Sequence, residues 1–332
     1  MRAPDFWQNP ASWAGRFLAP VGAAFGLAGW LRWQRAAPQT AAVPVICIGN
    51  LTAGGAGKTP VALAVAAAVI GHGGHPHFLT RGYGGRLRGP VRVDPAHHSA
   101  DDVGDEPLLL APVAPTWVAR DRVAGARAAV AAGASAIIMD DGFQNPSLRK
   151  SLSLVVVDAA TGMGNGRLLP AGPLREPVAR GLGRADAIIL IGTGDAPGLF
   201  PHGATARCPV LRARPVATDA AATWRGRRML AFAGIGRPEK FFATLEQTGA
   251  VIVDRRAFPD HHPYRPDEIA TLRADARRLA AIPVTTSKDA ARLPADARHG
   301  IAVLPIRLSW DDPAAFEALL LPILNRRDRD GR

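Results

Sequence analysis

From residue 43 onward, short β-branched and aliphatic runs alternate with alanine-rich stretches of helical length, the pattern of a parallel sheet wrapped by helices. Runs at 43–48, 77–80, 116–119, 136–139, 154–158 and 187–191 predict buried strands. Residues 60–70 and 122–132 predict helices between them, the second closed by Gly133 as its C-cap. Between 213 and 228 the alternation gives way to a polar, arginine-rich passage, and a shorter series follows. Its predicted strands are 229–233, 250–253, 282–286 and 301–306, with helices at 238–248 and 266–281. The pattern therefore predicts an α/β protein with a larger domain over 39–222 and a smaller C-terminal α/β domain over 223–332, without an internal repeat of fixed period.

Residues 1–38 follow a different rule. Trp7, Trp13, Trp30 and Trp33 are four of the chain's seven tryptophans, set among Phe6, Phe17, Leu18, Val21, Phe25, Leu27 and Leu31. The uncharged stretch 17–31 is interrupted by Pro20 and several glycines, and it is shorter than the roughly 20 apolar residues a spanning helix needs. Aromatic residues flank it on both sides and no small-residue cleavage motif follows, unlike a signal peptide. Tryptophan favours the headgroup zone, where Arg2, Arg16, Arg32 and Arg35 would meet lipid phosphates. The segment is expected to be an amphipathic, membrane-associated helix that does not span. The alternative is an N-terminal helix packed on the protein's own core.

Composition changes this picture little. The 332 residues are 48% hydrophobic and 20% charged, which excludes a disordered chain. A net charge of +12 points to an anionic partner: nucleic acid, a phosphorylated substrate or an acidic lipid surface. Cys47 and Cys208 stand far apart in no metal-ligand spacing, so neither a disulfide framework nor a zinc site is expected.

The strongest chemical signal follows the first predicted strand: Gly49-Asn50-Leu51-Thr52-Ala53-Gly54-Gly55-Ala56-Gly57-Lys58-Thr59-Pro60, and then an Ala/Val helix. Strand, glycine-rich loop and helix in this order form a P-loop, as in P-loop NTPases. Its glycines let backbone N–H groups turn inward around phosphate oxygens, and the helix N-terminus adds its positive end. Lys58 would reach the β and γ phosphates and Thr59 would place its hydroxyl on Mg²⁺. Thr52 occupies the position of the usual first glycine, so the strict pattern is not met.

The predicted strand 136–139 runs into Asp140-Asp141-Gly142-Phe143-Gln144. Carboxylates at the C-terminal edge of a buried strand, downstream of a P-loop, are where a magnesium-binding or water-ordering group belongs. Asp105 and Glu106 open an apolar stretch and read equally as helix caps or as a base and metal ligand beside the γ-phosphate. The loop Thr80-Arg81-Gly82-Tyr83-Gly84 suits a phosphorylated sugar and equally a plain turn. Arg175, in Leu174-Arg175-Glu176-Pro177, is a candidate phosphate clamp. Asp260-His261-His262 offers an orienting or general-base histidine in an interdomain cleft, or merely surface histidines.

Taken together these segments resemble the tetraacyldisaccharide 4'-kinase family of lipid A biosynthesis. The likeness runs through Gly49 to Pro60, Arg81-Gly82-Tyr83-Gly84, Gly104-Asp105-Glu106-Pro107, Asp140 to Gln144, Leu169 to Pro177, Asp260-His261 and Thr286-Ser287-Lys288-Asp289-Ala290, nearly the whole chain, and Thr52 is a form this family uses. The resemblance implies transfer of the γ-phosphate of ATP, with Mg²⁺, to the 4'-hydroxyl of a lipid-linked tetraacyldisaccharide 1-phosphate, giving lipid IVA at the cytoplasmic face of the bacterial inner membrane. It further implies that Thr52, Gly54, Gly55, Ala56, Gly57, Lys58, Thr59 and Gln144 contact nucleotide, and that Thr59, Glu106, Asp140 and Asp141 serve the metal. Asp105 paired with His261 would activate the sugar hydroxyl, Arg175 and Arg122 would neutralise phosphate charge, and Asn50, Arg81, Tyr83 and Arg122 would meet the acceptor. The sequence departs from the family at Asn145, where a histidine is expected.

Three rival readings remain in view. A partitioning-type P-loop ATPase usually has a second lysine early in the loop, which Thr52-Ala53-Gly54 lacks. A nucleic-acid-binding protein would concentrate its basic residues in a reading module, whereas here they are scattered, so no nucleic acid is expected. A lipid-independent small-molecule kinase predicts no acyl-chain requirement. An anionic inner-membrane surface is the expected partner, with no obligate protein partner.

Overall fold

The computed structural model describes residues 4–199, 208–294 and 297–324. Its strands, in chain order, are β1 Val45–Gly49, β2 Pro76–Thr80, β3 Val91–Arg92, β4 Thr116–Val118, β5 Ala136–Asp140, β6 Leu152–Asp158, β7 Ala187–Ile191, β8 Val210–Ala217, β9 Arg228–Ala233, β10 Val251–Ala257, β11 Ile282–Thr286, β12 Ala302–Leu304 and β13 Ile306–Trp310. Nine form one sheet in the order β13-β8-β7-β6-β1-β5-β2-β4-β3, and four form a second in the order β10-β9-β11-β12. The central strands of the large sheet run parallel, and only its edge strands β3 and β13 are antiparallel to their neighbours.

The central strands are continuous apolar runs because both of their faces are covered. On one face Val61, Val65 and Val69 of the helix Lys58–Gly71 pack on Ile46, Ile48, Ile138 and Leu154. On the other, Ala126 and Ala129 of the helix Arg122–Ala131 pack near Leu79, Ile137 and Met139. Alanine on these helices keeps them close to the sheet. The small sheet is covered likewise by Phe241, Phe242 and Leu245 of the helix Pro238–Gln247 on one side and by Ile269 and Leu272 of the helix Pro266–Arg278 on the other.

The domain boundary drawn from sequence needs correcting at the C-terminus. The run 301–306 is not one strand of the small sheet, because Pro305 has no N–H to continue the ladder. β12 ends at Leu304 in the small sheet, and β13 pairs antiparallel with β8 in the large one. The helix Pro313–Leu324 then packs Phe316, Leu320 and Ile323 into the large sheet's core. The chain thus crosses between the two sheets twice, between β8 and β9 and again at Pro305. The arginine-rich passage also contains a strand: in β8, Leu211 and Ala213 point into the core while Arg212 and Arg214 face out.

The N-terminal helix Ala19–Gln34 lies on the loop 163–175. Gly22 and Gly26 approach Leu168 so closely that a Cβ on Gly26 would lie 2.5 Å from Leu168 Cδ1. Trp7 Nε1 donates to the Pro170 carbonyl at 3.1 Å. The segment therefore packs on the protein through its small residues while Trp13, Phe17 and Leu27, 79, 77 and 57% exposed, touch solvent. Among the described residues no helix is long and apolar enough to cross a membrane. Arg2 lies outside the described residues. Arg32, expected to meet lipid phosphate, instead donates to the Gln144 carbonyl.

Candidate active site

β1 ends at Gly49, where a side chain would collide with Phe143, its Cβ only 2.3 Å from that of Phe143. The loop that follows turns through Gly54 and Gly57 at φ of 117° and 90°, a region open to glycine at little cost. Gly57 then caps the helix Lys58–Gly71, leaving Lys58 and Thr59 in its first turn. Asn50, expected to meet the acceptor, lies at the root of this loop. It is fully buried, and its amide braces the loop by donating to the Thr52 carbonyl at 2.6 Å while its Oδ1 accepts from Lys58 Nζ at 3.4 Å. A second loop supports the first from outside: Ala53 N–H donates to the Pro173 carbonyl at 2.7 Å and Arg175 N–H to the Leu51 carbonyl at 2.8 Å.

β5, beside β1, delivers Asp140 and Asp141 to the same edge. Asp140 is fully buried and neither of its carboxylate oxygens has a hydrogen-bond partner. Burial, reinforced by the negative charge of Glu106, pushes its pKa up to about 7. Asp141 has the opposite fate: burial would raise its pKa, but Lys58 Nζ at 3.6 Å and Arg175 Nη1 at 2.8 Å hold it below the usual range. Arg175 therefore sits on Asp141. Gln144 Nε2 donates to the Asn50 carbonyl at 2.8 Å and to Glu176 at 3.1 Å.

Asp105 opens the short helix Asp105–Leu110, and the small domain meets it there. His261 Nδ1 lies 3.0 Å from Asp105 Oδ2, and Arg292 Nη1 donates to the same oxygen at 3.3 Å. Burial would raise the Asp105 pKa, but the His261 hydrogen bond and the charges of Lys288 and Arg292 outweigh it and keep the carboxyl ionised. Lys288 Nζ stands 3.8 Å from Glu106. His262 is taken up elsewhere, 2.9 Å from Glu268 and stacked on Phe258. Of the four non-glycine residues with positive φ among the described residues, Asp141 (53°) and His261 (58°) are both here, the kind of backbone strain that concentrates at functional sites.

Arg81 and Tyr83 lie on an exposed loop after β2, Tyr83 with 75% of its surface free. Arg122 is buried and donates to the Ala119 carbonyl. Burial, with Arg81 nearby, brings its pKa down to about 10, and its buried Nε has no hydrogen-bond partner. Sequence reasoning assigned no role to Glu176, Lys288, Asp289 or Arg292. Asp289 is a hub with no exposure, accepting from Gly234 N–H at 2.9 Å, Tyr264 Oη at 2.8 Å, Thr286 Oγ1 at 2.6 Å and Arg292 Nη2 at 2.5 Å. Only the run Thr286 to Ala290, within the family resemblance, marked it.

A glycine-rich loop, a buried lysine and carboxylates at the carboxyl edge of a parallel sheet define a nucleotide-dependent phosphotransferase of the α/β class. The profile of the tetraacyldisaccharide-1-P 4'-kinase family matches residues 14–325. The tetraacyldisaccharide 4'-kinase of Rhodospirillum centenum is 52% identical over 337 residues, covering 100% of this chain and 99% of its own. That of Parvibaculum lavamentivorans is 58% identical over 301 residues, covering 88% and 87%. The crystal structure of the apo form of LpxK from Aquifex aeolicus in complex with ATP aligns with a TM-score of 0.74 at 25% identity, covering 93% of this chain and 99% of that one. This chain belongs to the tetraacyldisaccharide 4'-kinase family and is a kinase of lipid A biosynthesis.

Proposed function

We propose that the protein transfers the γ-phosphate of ATP to the 4'-hydroxyl of tetraacyldisaccharide 1-phosphate, giving lipid IVA, with Mg²⁺ and at the cytoplasmic face of the inner membrane. The observation that carries this reading is convergence. Lys58, the Asp140–Asp141 pair and the Asp105–His261 pair come from both sheets to one edge of the large sheet. Phosphoryl transfer asks a protein mainly for positioning, charge neutralisation and a proton acceptor.

In this reading Thr52, Gly54, Gly55, Ala56 and Gly57 turn backbone N–H groups toward phosphate oxygens, with Lys58 on the β and γ phosphates and Gln144 beside the nucleotide. The residues present fit magnesium. Asp140 is a buried carboxylate with two unpartnered oxygens, Glu106 is near enough to raise its pKa, and Thr59 offers a hydroxyl. Magnesium is commonly held by one or two carboxylates together with substrate phosphates and water. When bound, the ion would neutralise charge on the transferring phosphate.

Asp105, ionised, accepts the proton of the attacking hydroxyl, and His261 fixes its orientation. Arg175, released from Asp141, would follow charge onto the phosphates. Arg81 and Tyr83, exposed on the loop after β2, would meet the acceptor. Trp13, Phe17 and Leu27 support the membrane location, since an apolar face left in water by the fold suits the headgroup boundary. The test is the product: ³¹P NMR should show a new phosphate monoester on the distal sugar, formed only with Mg²⁺ and abolished by chelation. A folded enzyme that phosphorylated short water-soluble sugars equally well would contradict the lipid acceptor.

A further inference from the structure

The last turn of the N-terminal helix grips Gln144 from both ends. Arg32 Nη2 donates to the Gln144 backbone carbonyl at 2.6 Å. Next to it, the Trp33 ring lies 4.3 Å from the Arg184 guanidinium, and Arg184 Nη2 donates to Glu176 at 2.8 Å. That buried carboxylate accepts from the Gln144 side-chain amide at 3.1 Å. The same amide donates at 2.8 Å to the carbonyl of Asn50, where β1 passes into the phosphate loop, and the Asn50 side chain binds the Thr52 carbonyl and Lys58. Two consecutive residues of a helix that shows its apolar face to solvent thus connect, by separate routes, to the root of the loop.

We infer that Arg32 and Trp33 are positioning residues for the nucleotide site, acting through Gln144 on the loop 49–59. A glutamine side chain has three rotatable bonds, and the partners that hold its backbone and carboxamide, with a longer contact from Arg175 Nη1 to its Oε1 at 3.5 Å, favour the rotamer that puts its amide on the Asn50 carbonyl. Arg32 holds the backbone end, and Trp33, by fixing Arg184 and so Glu176, holds the side-chain end. The N-terminal helix is then part of the catalytic machinery as well as a surface for lipid. The inference rests on the reading of residues 49–59 as the nucleotide site.

The test is the affinity of the full-length protein for a fluorescent, non-hydrolysable ATP analogue with Mg²⁺, in detergent without lipid acceptor. Arg32→Ala should weaken binding about 5-fold, the effect of losing one charge-assisted hydrogen bond at a partly exposed site, and Arg32→Lys should recover part of it. Trp33→Leu should weaken binding by the other route and serves as the test if Arg32→Ala does not fold. Combining either with Gln144→Asn should cost less than the sum of the single changes, because all act on one side chain. Wild-type affinity in folded Arg32→Ala and Trp33→Leu, alongside weakened binding by Lys58→Ala, would overturn the inference. Additive losses would overturn the route through Gln144. Undiminished binding by Lys58→Ala would overturn the nucleotide-site reading and the inference with it.

Discussion

At the scale of single residues the site separates its carboxylates by environment. Asp105, held by His261 and Arg292, stays ionised, while Asp140, buried without a donor, is pushed toward neutrality. Asp105→Ala should therefore lower kcat by about 10²- to 10⁴-fold, the usual worth of a positioned proton acceptor, with nucleotide affinity unchanged in an equilibrium titration. Near-normal turnover would remove Asp105 from the chemistry. For Asp140 the sign follows from its raised pKa. Between an ordinary carboxylate value of about 4 and about 7 the folded state binds more protons than the unfolded one, so metal-free stability falls as pH rises through that window. Thermal unfolding without metal should show this decline, Asp140→Asn should flatten it, and Mg²⁺ should raise the melting temperature more at pH 8 than at pH 6. Lys58, Asp140 and Asp105 were legible because each sits in a motif a few residues long. Arg292 reaches Asp105 from 187 positions away, and no local pattern announces such a partner.

At the scale of elements, the N-terminal helix Ala19–Gln34 is pinned by its glycines to Leu168, by Arg32 to Gln144 and by Trp33 to Arg184, whereas Trp13 and Phe17, on the short helix Trp13–Phe17 before it, remain largely exposed. Replacing Trp13 and Phe17 together by Glu should abolish co-sedimentation with anionic liposomes while leaving the melting temperature nearly unchanged, since exposed positions away from packing rarely shift stability by more than about 0.5 kcal/mol. Undiminished liposome binding would refute the anchor. The central strands and their covering helices were legible because continuous apolar runs and alanine-rich stretches repeat with the right lengths. β8 was not, because arginines at alternate positions disguise a strand buried on one face. β13 was hidden differently: its pattern merges with β12, and only Pro305 hints that the run serves two sheets.

At the scale of the whole molecule, two sheets joined by two crossovers meet through charged side chains. One cluster is Asp105 with His261 and Arg292, beside Glu106 with Lys288. Another is Asp158 at the end of β6, 3.0 Å from Arg237 and 2.6 Å from Lys240 of the small domain. Arg292 also serves Asp289, so Arg292→Ala leaves two buried carboxylates short of a cation and should cost about 3–5 kcal/mol of stability, measurable by denaturant unfolding; a loss below about 1 kcal/mol would show that the pair behaves as a surface contact. In the proposed mechanism each domain contributes to the chemistry, the loop, the acidic pair and Asp105 from the large one and His261 from the small one. The most direct test is phosphate transfer from γ-labelled ATP to tetraacyldisaccharide 1-phosphate in detergent with Mg²⁺, comparing the wild type with Lys58→Ala. Label should appear on the distal sugar with the wild type and fall by several orders of magnitude with Lys58→Ala. Equal transfer by both, or none by a folded wild-type protein that binds ATP, would contradict the proposed function.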